Sequence, residues 1–295
     1  MIRIAILIPL LLAGGLTTAS AQDAEWQRQI ASALGKTGTA MPGDVYRVGL
    51  PRTDLKVTLD GVELKPGFAL GSWLAFKRMD NNVVAMGDLV LTDAEINPVM
   101  MRLAEAGIEV TAIHNHLLRA NPNTMYMHVL GHGDPGKLAA AFHHALAASQ
   151  TPFPTTSQPA AEPAVELDTA AIDSALGRKG KASGGVYQVS VPRAEPVRDH
   201  GMDVPESMGS AIAINFQPTG GGKAAITGDF VLTADEVNPV LRALHEHGIE
   251  VTALHSHMLG EEPRLFFMHF WANDDAVKLA RGLRAALDKV KVAHG

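Results

Sequence analysis

The 295-residue sequence contains no cysteine. It therefore has no disulfide, no thiolate metal ligand, no thiol nucleophile and no cysteine through which a lipid could be attached, and in an oxidising compartment it must be held by its core alone. Basic runs are missing too. With 25 Lys and Arg against 31 Asp and Glu the net charge is −6, which excludes the electrostatic footprint of a protein for nucleic acid or anionic lipid. No Gly-rich loop follows a strand and opens a helix in the phosphate-binding sense, since Gly220–Gly222 reads as a turn between strands. A Ser nucleophile elbow is also absent. The apolar run at the N-terminus, Ile4 to Leu12, is shorter than the about 20 residues a bilayer-spanning helix needs.

What is present is a globular composition, 46% apolar and 19% charged, on a chain long enough for two domains. Met1-Ile2-Arg3, the apolar run and Ala19-Ser20-Ala21 are the parts of a secretory signal peptide, so residues 1–21 are expected to be removed after Ala21. The expected product is a periplasmic or secreted protein with no stable membrane anchor. Residues 149–166 carry Pro152, Pro154, Pro159 and Pro163 with Ser and Thr and no periodicity, and read as a semi-extended linker. It separates residues 22–148 from 167–295.

These two stretches repeat each other. From Gly87 to His116 against Gly228 to His257, 19 of 30 positions are identical without a gap, which means duplication. In each half a strand (Asn82–Leu91; Ala224–Leu232) leads to Thr92 or Thr233, followed three residues on by Glu95 or Glu236 at capping-box spacing. Ile96, Val99, Met100 and Leu103, and Val237, Val240, Leu241 and Leu244, give the helical apolar stripe that follows. Gly107 and Gly248 stop the helices. Two strands then form a hairpin, and a last helix closes each half, at Pro135–Ala148 and Asp274–Val290. Earlier, Glu25–Leu34 and Thr169–Leu176 read as helices, and Val45–Arg52, Asp54–Leu64 and Ala69–Phe76 as strands. The expected fold is α+β: two tandem homologous repeats, each an antiparallel sheet covered by helices.

The hairpins carry the chemistry. His114 and His116 recur as His255 and His257, and His128 as His269, all displaced by 141 residues. Alternation along a strand puts His114 and His116 on one face, with Val110 and Ala112, and the neighbouring strand can bring His128 across about 5 Å. Three imidazoles from two strands suit an open site for a divalent transition metal, zinc first, with copper, nickel or iron fitting the same ligand type. Bound water of lowered pKa would then make hydrolysis the simplest reaction, with Glu95 or Glu236 as base. The alternative is a metal-free cleft for a small molecule such as a sugar or peptide. Asn97 and Asn238, ahead of Pro98 and Pro239, are candidates to face it, and Tyr126, Phe267 and Trp271 fall by alternation beside the third histidines. The plainer readings are a capping role for the glutamates, core aromatics, and a turn or cap role for Asp88 and Asp229. Whether the histidine faces make two sites or one composite site about a pseudo-twofold axis stays open at this point.

The motifs Gly-Asp-[Leu/Phe]-Val-Leu-Thr, Glu-x-Asn-Pro-Val, Gly-Ile-Glu-Val-Thr-Ala-[Ile/Leu]-His-x-His and [Tyr/Phe]-Met-His, at 87–128 and 228–269, resemble the LppY/LpqO-type family of exported bacterial tandem domains. The resemblance implies export and duplication, and no established reaction. Members named as lipoproteins use a lipidated cysteine, which this chain lacks.

Overall fold

The structure is a computed structural model that describes residues 18–153 and 163–293, with side chains from Glu25 onward. Residues 1–17 of the expected signal peptide and the middle of the expected linker lie outside the described residues. In the first half, helix α1 (Thr18–Leu34) is followed by strands β1 (Thr39–Met41) and β2 (Val45–Pro51). A two-rung hairpin comes next, β3 (Thr58–Leu59) with β4 (Val62–Glu63), then the one-turn helix α2 (Pro66–Ala69). The repeat core runs through β5 (Gly71–Met79), β6 (Asn82–Thr92), α3 (Asp93–Glu105), β7 (Glu109–His114), β8 (Thr124–Gly133) and α4 (Pro135–Leu146). The second half opens with α5 (Thr169–Leu176), β9 (Lys181–Ser183) and β10 (Val186–Val191), then the short β11 (Arg198–Asp199) and β12 (Met202–Asp203). It closes with β13 (Ile212–Gly220), β14 (Lys223–Leu232), α6 (Ala234–Glu246), β15 (Glu250–His255), β16 (Glu261–Glu262), β17 (Phe266–Asp275) and α7 (Ala276–Leu287).

Each half is a six-stranded antiparallel sheet, ordered β1-β2-β5-β6-β8-β7 and, in mirror sequence, β9-β10-β13-β14-β17-β15. The expected class is therefore found. The strand expected over Asp54–Leu64 is mostly loop around the β3–β4 hairpin, and α1 runs back through the expected cleavage point after Ala21.

Why β6 is buried along almost its whole length follows from what covers it. Its odd-numbered residues Val83, Ala85, Leu89 and Leu91 pack with Trp26, Ile30, Val99, Leu103 and Phe142 of the helices. Its even-numbered residues Val84 and Met86 instead share a core with Ile212, Phe216, Ile226 and Phe270 of the other half. The two sheets thus pack face to face with the helices outside, so a strand in the middle needs apolar residues on both faces. Polar clips join the halves at the seam: the Gln217 side chain accepts from the Lys65 amide at 2.8 Å and donates to the Glu63 carbonyl at 2.8 Å, and Arg119 donates to both Asp60 and Glu250. Between the sheets lies the face that carries the histidines.

Candidate metal centre

The strand geometry that aims the histidines contains a feature that alternation alone does not supply. The β7–β8 register slips between Val110 and Ala112, and the β15–β17 register slips at the matching place between Val251 and Ala253. The extra residue is a threonine in each case, Thr111 and Thr252. A bulge reverses the facing of everything before it. Val110, expected on the histidine face, instead pairs with Val129 and packs with the helix-side core, while Ala112 stands opposite His128. The freed threonines reach across to the other half: the Thr111 hydroxyl donates to the His257 carbonyl at 2.6 Å, and Thr252 donates to the His116 carbonyl at 2.5 Å.

All six histidines meet in the middle. Their rings stack in pairs across the two halves: His114 on His255 with centroids 3.4 Å apart, His116 on His269 at 3.7 Å, and His128 on His257 at 3.7 Å. The shift of 141 residues exchanges the last two pairs and maps the first onto itself, so a pseudo-twofold axis passes between His114 and His255. The two His-x-His motifs are therefore parts of one composite centre. His114 belongs both to a potential ligand group with His116 and His128 and to one with His255, His257 and His269, each group having its ligand atoms within 4.8 Å of one another.

In three rings Nδ1 faces a backbone carbonyl. Nδ1 of His269 lies 2.8 Å from the Gly228 carbonyl, Nδ1 of His114 lies 3.2 Å from the Asn115 carbonyl, and Nδ1 of His255 lies 3.3 Å from the Ser256 carbonyl. A ring whose Nδ1–H donates to a carbonyl presents a bare Nε2 lone pair. In all six rings Nε2 is buried and has no hydrogen-bond partner. Burial also keeps the rings neutral, pushing His114 down to about 4 and His255 to about 3, and taking His116, His128, His257 and His269 well below the usual imidazole value. For all but His114, imidazole neighbours add to the effect.

Two residues read as turn or cap belong here. Asp88 is the cross-strand partner of His128, and Asp229 of His269. Their carboxylates are buried, with Oδ1 of each unpartnered. Asp88 Oδ1 is 3.9 Å from His128 Nε2, and Asp229 stands 3.7 Å from His257 Nε2 and 3.8 Å from His269 Nε2. Burial raises Asp88 to about 7 against the lowering pull of the Arg47 charge; burial and then the neighbouring Asp88 raise Asp229 well above the carboxylate range. The signal that could have found them is strand parity, because Asp88 shares the inward face of Val84 and Met86. Gly87 and Gly228, one residue earlier, allow close strand approach: a Cβ at Gly228 would stand 1.9 Å from the Ala213 carbonyl oxygen.

The other expected residues divide. Tyr126 stacks on His116 at 3.3 Å and Phe267 on His257 at 3.5 Å, so both aromatics flank the histidines. Trp271 does not stack on a histidine: its indole N–H donates to Asp60 at 3.1 Å and its ring meets Phe68 edge-on, in the apolar cluster that also holds Tyr126 and seals the seam. Glu95 completes its capping box and also accepts from Arg52 at 2.8 and 3.1 Å and from the Gln150 amide at 2.7 Å; Glu236 is held the same way by Arg193 and the Lys291 amide. These bonds tie both carboxylates to the edge of the helix layer. Asn97 and Asn238 are exposed on α3 and α6, whose buried faces pack on the other side of the sheets from the histidines.

A family model described as Domain of Unknown Function (DUF1259) matches residues 28–148 and again 170–289. No curated protein matches the chain. Among solved structures, the chain is similar to a trimeric bacterial microcompartment shell protein, PduB, at 13% identity over 85% of this chain and 89% of that one, with a TM-score of 0.21. A score that low carries no argument about fold or function.

Proposed function

The chain belongs to the DUF1259 family, and we propose that it is a metal-binding protein whose centre is built jointly by its two halves. One observation carries the proposal: six imidazole Nε2 atoms are buried in one place without a hydrogen-bond partner. More than about 90% of buried polar groups in proteins are paired, and each orphan costs roughly 1–3 kcal/mol. Six together are explained by an ion that takes their lone pairs. An all-nitrogen set with nearby carboxylate oxygen suits zinc first, and also copper, nickel or iron.

Hydrolysis by metal-bound water is the simplest reaction such a centre supports, and Glu95 and Glu236, held in ion pairs with Arg52 and Arg193, are poorly placed to serve it as bases. The competing reading, a metal-free cleft for a sugar or peptide, has less support: the space beside His128 and His257 is only about 20 Å³. We also propose that the protein is periplasmic or secreted after cleavage following Ala21, on the signal-peptide pattern of residues 1–21, and the finer likeness to the LppY/LpqO-type family rests on the motifs at 87–128 and 228–269.

The test is elemental analysis of untagged protein loaded with Zn²⁺ and desalted, beside the His114→Ala, His255→Ala variant. Retained metal in the first and at least a 10-fold weaker affinity in the second are expected. Equal retention by both, or none by either, refutes the proposal.

A further inference from the structure

We propose that the centre holds two divalent ions, that Asp88 and Asp229 are ligands to them, and that a single water-sized molecule reaches both ions beside His128 and His257. This deepens the metal reading and rests on it. The spacings of Asp229 from His257 and His269, 3.7 and 3.8 Å, and of Asp88 from His128, 3.9 Å, are too long for hydrogen bonds. They are what two groups show when they point at a common position rather than at each other. Metal–ligand bonds of about 2.0–2.2 Å place neighbouring donor atoms roughly 3–3.5 Å apart, so a shift of a few tenths of an ångström brings each set onto an ion.

The pseudo-twofold axis then sorts the ligands. Asp229, His257 and His269 form one set, and Asp88, His116 and His128 the other, each with two histidines and one carboxylate. His114 and His255, stacked at 3.4 Å across the axis, are left to complete both. Charge supports two ions with these two acids. Neutral imidazoles offer no charge to offset a buried cation, whereas each aspartate supplies one negative charge exactly where an otherwise unpaired buried carboxylate must be accounted for. A two-histidine, one-carboxylate set with open positions is also the arrangement found in non-haem iron centres, which widens the candidate metals beyond zinc.

Access is the second part. A cavity of about 20 Å³ is lined by His128 and His257 together with Thr111, Trp73, Met86 and Met258. That is room for about one water molecule. It borders one histidine of each set, so one small ligand placed there faces both ions. Phe267 covers the other face of His257 as Tyr126 covers that of His116, but on the His116 side Tyr126 also packs with Leu117, Phe68 and Trp271 in an apolar cluster. The substrate class this geometry admits is a molecule of one heavy atom, such as water, hydroxide or fluoride.

The experiment titrates Co²⁺ into untagged, chelator-treated full-length protein, reading visible absorbance and bound cobalt, and then adds fluoride. Two Co²⁺ per chain and one fluoride per chain are expected. The Asp88→Asn, Asp229→Asn variant, checked as folded by near-ultraviolet circular dichroism, is expected to bind Co²⁺ at least 10-fold more weakly with an altered spectrum. If the wild type binds no Co²⁺ the metal reading itself fails. Two Co²⁺ with unchanged affinity and spectrum in the aspartate variant overturn the ligand assignment alone, and one Co²⁺ per chain overturns the pair. Two fluorides per chain, or none, overturn the shared access.

Discussion

A protein built to hold metal between its sheets should be less stable without the metal than a variant stripped of the ligands, and Asp229 offers the sharpest case. Its carboxylate is buried beside Asp88, its Oδ1 has no partner, and burial followed by Asp88 hold its pKa well above the usual carboxylate range. An unsatisfied buried polar atom costs roughly 1–3 kcal/mol, and more when charged. Asp229→Asn keeps the shape and removes the ionisable group, whose raised pKa costs stability at pH values above its ordinary value of 3.8, so in chelator near pH 7 the variant should be more stable by about that amount. At roughly 2–4 °C per kcal/mol for a domain of this size, the melting temperature should rise by about 2–12 °C. With metal the order should invert. A ligand at 1,000 times its Kd stabilises the native state by about 4.1 kcal/mol, more than the roughly 1–3 kcal/mol deficit, which the wild type should gain and the variant should largely lose. Scanning calorimetry of both proteins, with EDTA and then with excess Zn²⁺, reads all four values. A variant that melts lower than wild type in EDTA, or that gains as much from Zn²⁺, refutes the reasoning.

The buried ion pairs give a pH dependence. Burial raises the Glu95 carboxyl, but the Arg52 hydrogen bond, the Thr92 and Gln150 amides and the Arg52 charge more than offset it and leave it below its ordinary value; Glu236 behaves alike with Arg193, Lys291 and Thr233. A lowered carboxyl stabilises the fold above the ordinary value of 4.5 and loses that contribution as pH falls through the lowered one. Urea midpoints should therefore drop below about pH 4.5, and Glu95→Gln, Glu236→Gln should flatten that drop while weakening the fold at pH 7. Removing Arg52, which is fully buried, should cost about 3–5 kcal/mol by stranding Glu95, measured as a shift in urea midpoint against wild type. Thr111→Val with Thr252→Val deletes the two bulge hydrogen bonds between the halves and should cost about 0.5–1.5 kcal/mol for each bond, again by denaturant titration. Gly228→Ala drives a methyl into the Ala213 carbonyl and should cost at least about 1–3 kcal/mol, read the same way.

How much of this was legible in the sequence depended on how local each cause was. The duplication, the capping boxes and the helices that follow Thr92 and Thr233 rest on residues within a few positions of one another, and these carried over to the structure. The six histidines were visible as a repeated pattern. Their pairing was not, because it is made by two sheets pressed together and His114 meets a residue 141 positions away. Val110 was placed on the wrong face because a bulge at Thr111 inserts one residue into a strand that otherwise alternates, and threonine carries no fixed bulge signal. Asp88 was taken for a turn residue because a carboxylate next to Gly87 in an apolar run resembles a strand end; only the register, which sets it opposite His128, reveals its place. Trp271 obeyed alternation and still missed the histidines, since its indole N–H found Asp60 on the other half.

The claim that the two halves share one metal centre is tested most directly by crystals of Co²⁺-loaded protein measured at the cobalt absorption edge. Two anomalous peaks between the sheets are expected, each bonded to histidines and one aspartate from the sets named above, with His114 and His255 between them. Histidine Nε2 atoms hydrogen-bonded to ordered water, with no anomalous peak among them, would contradict the account.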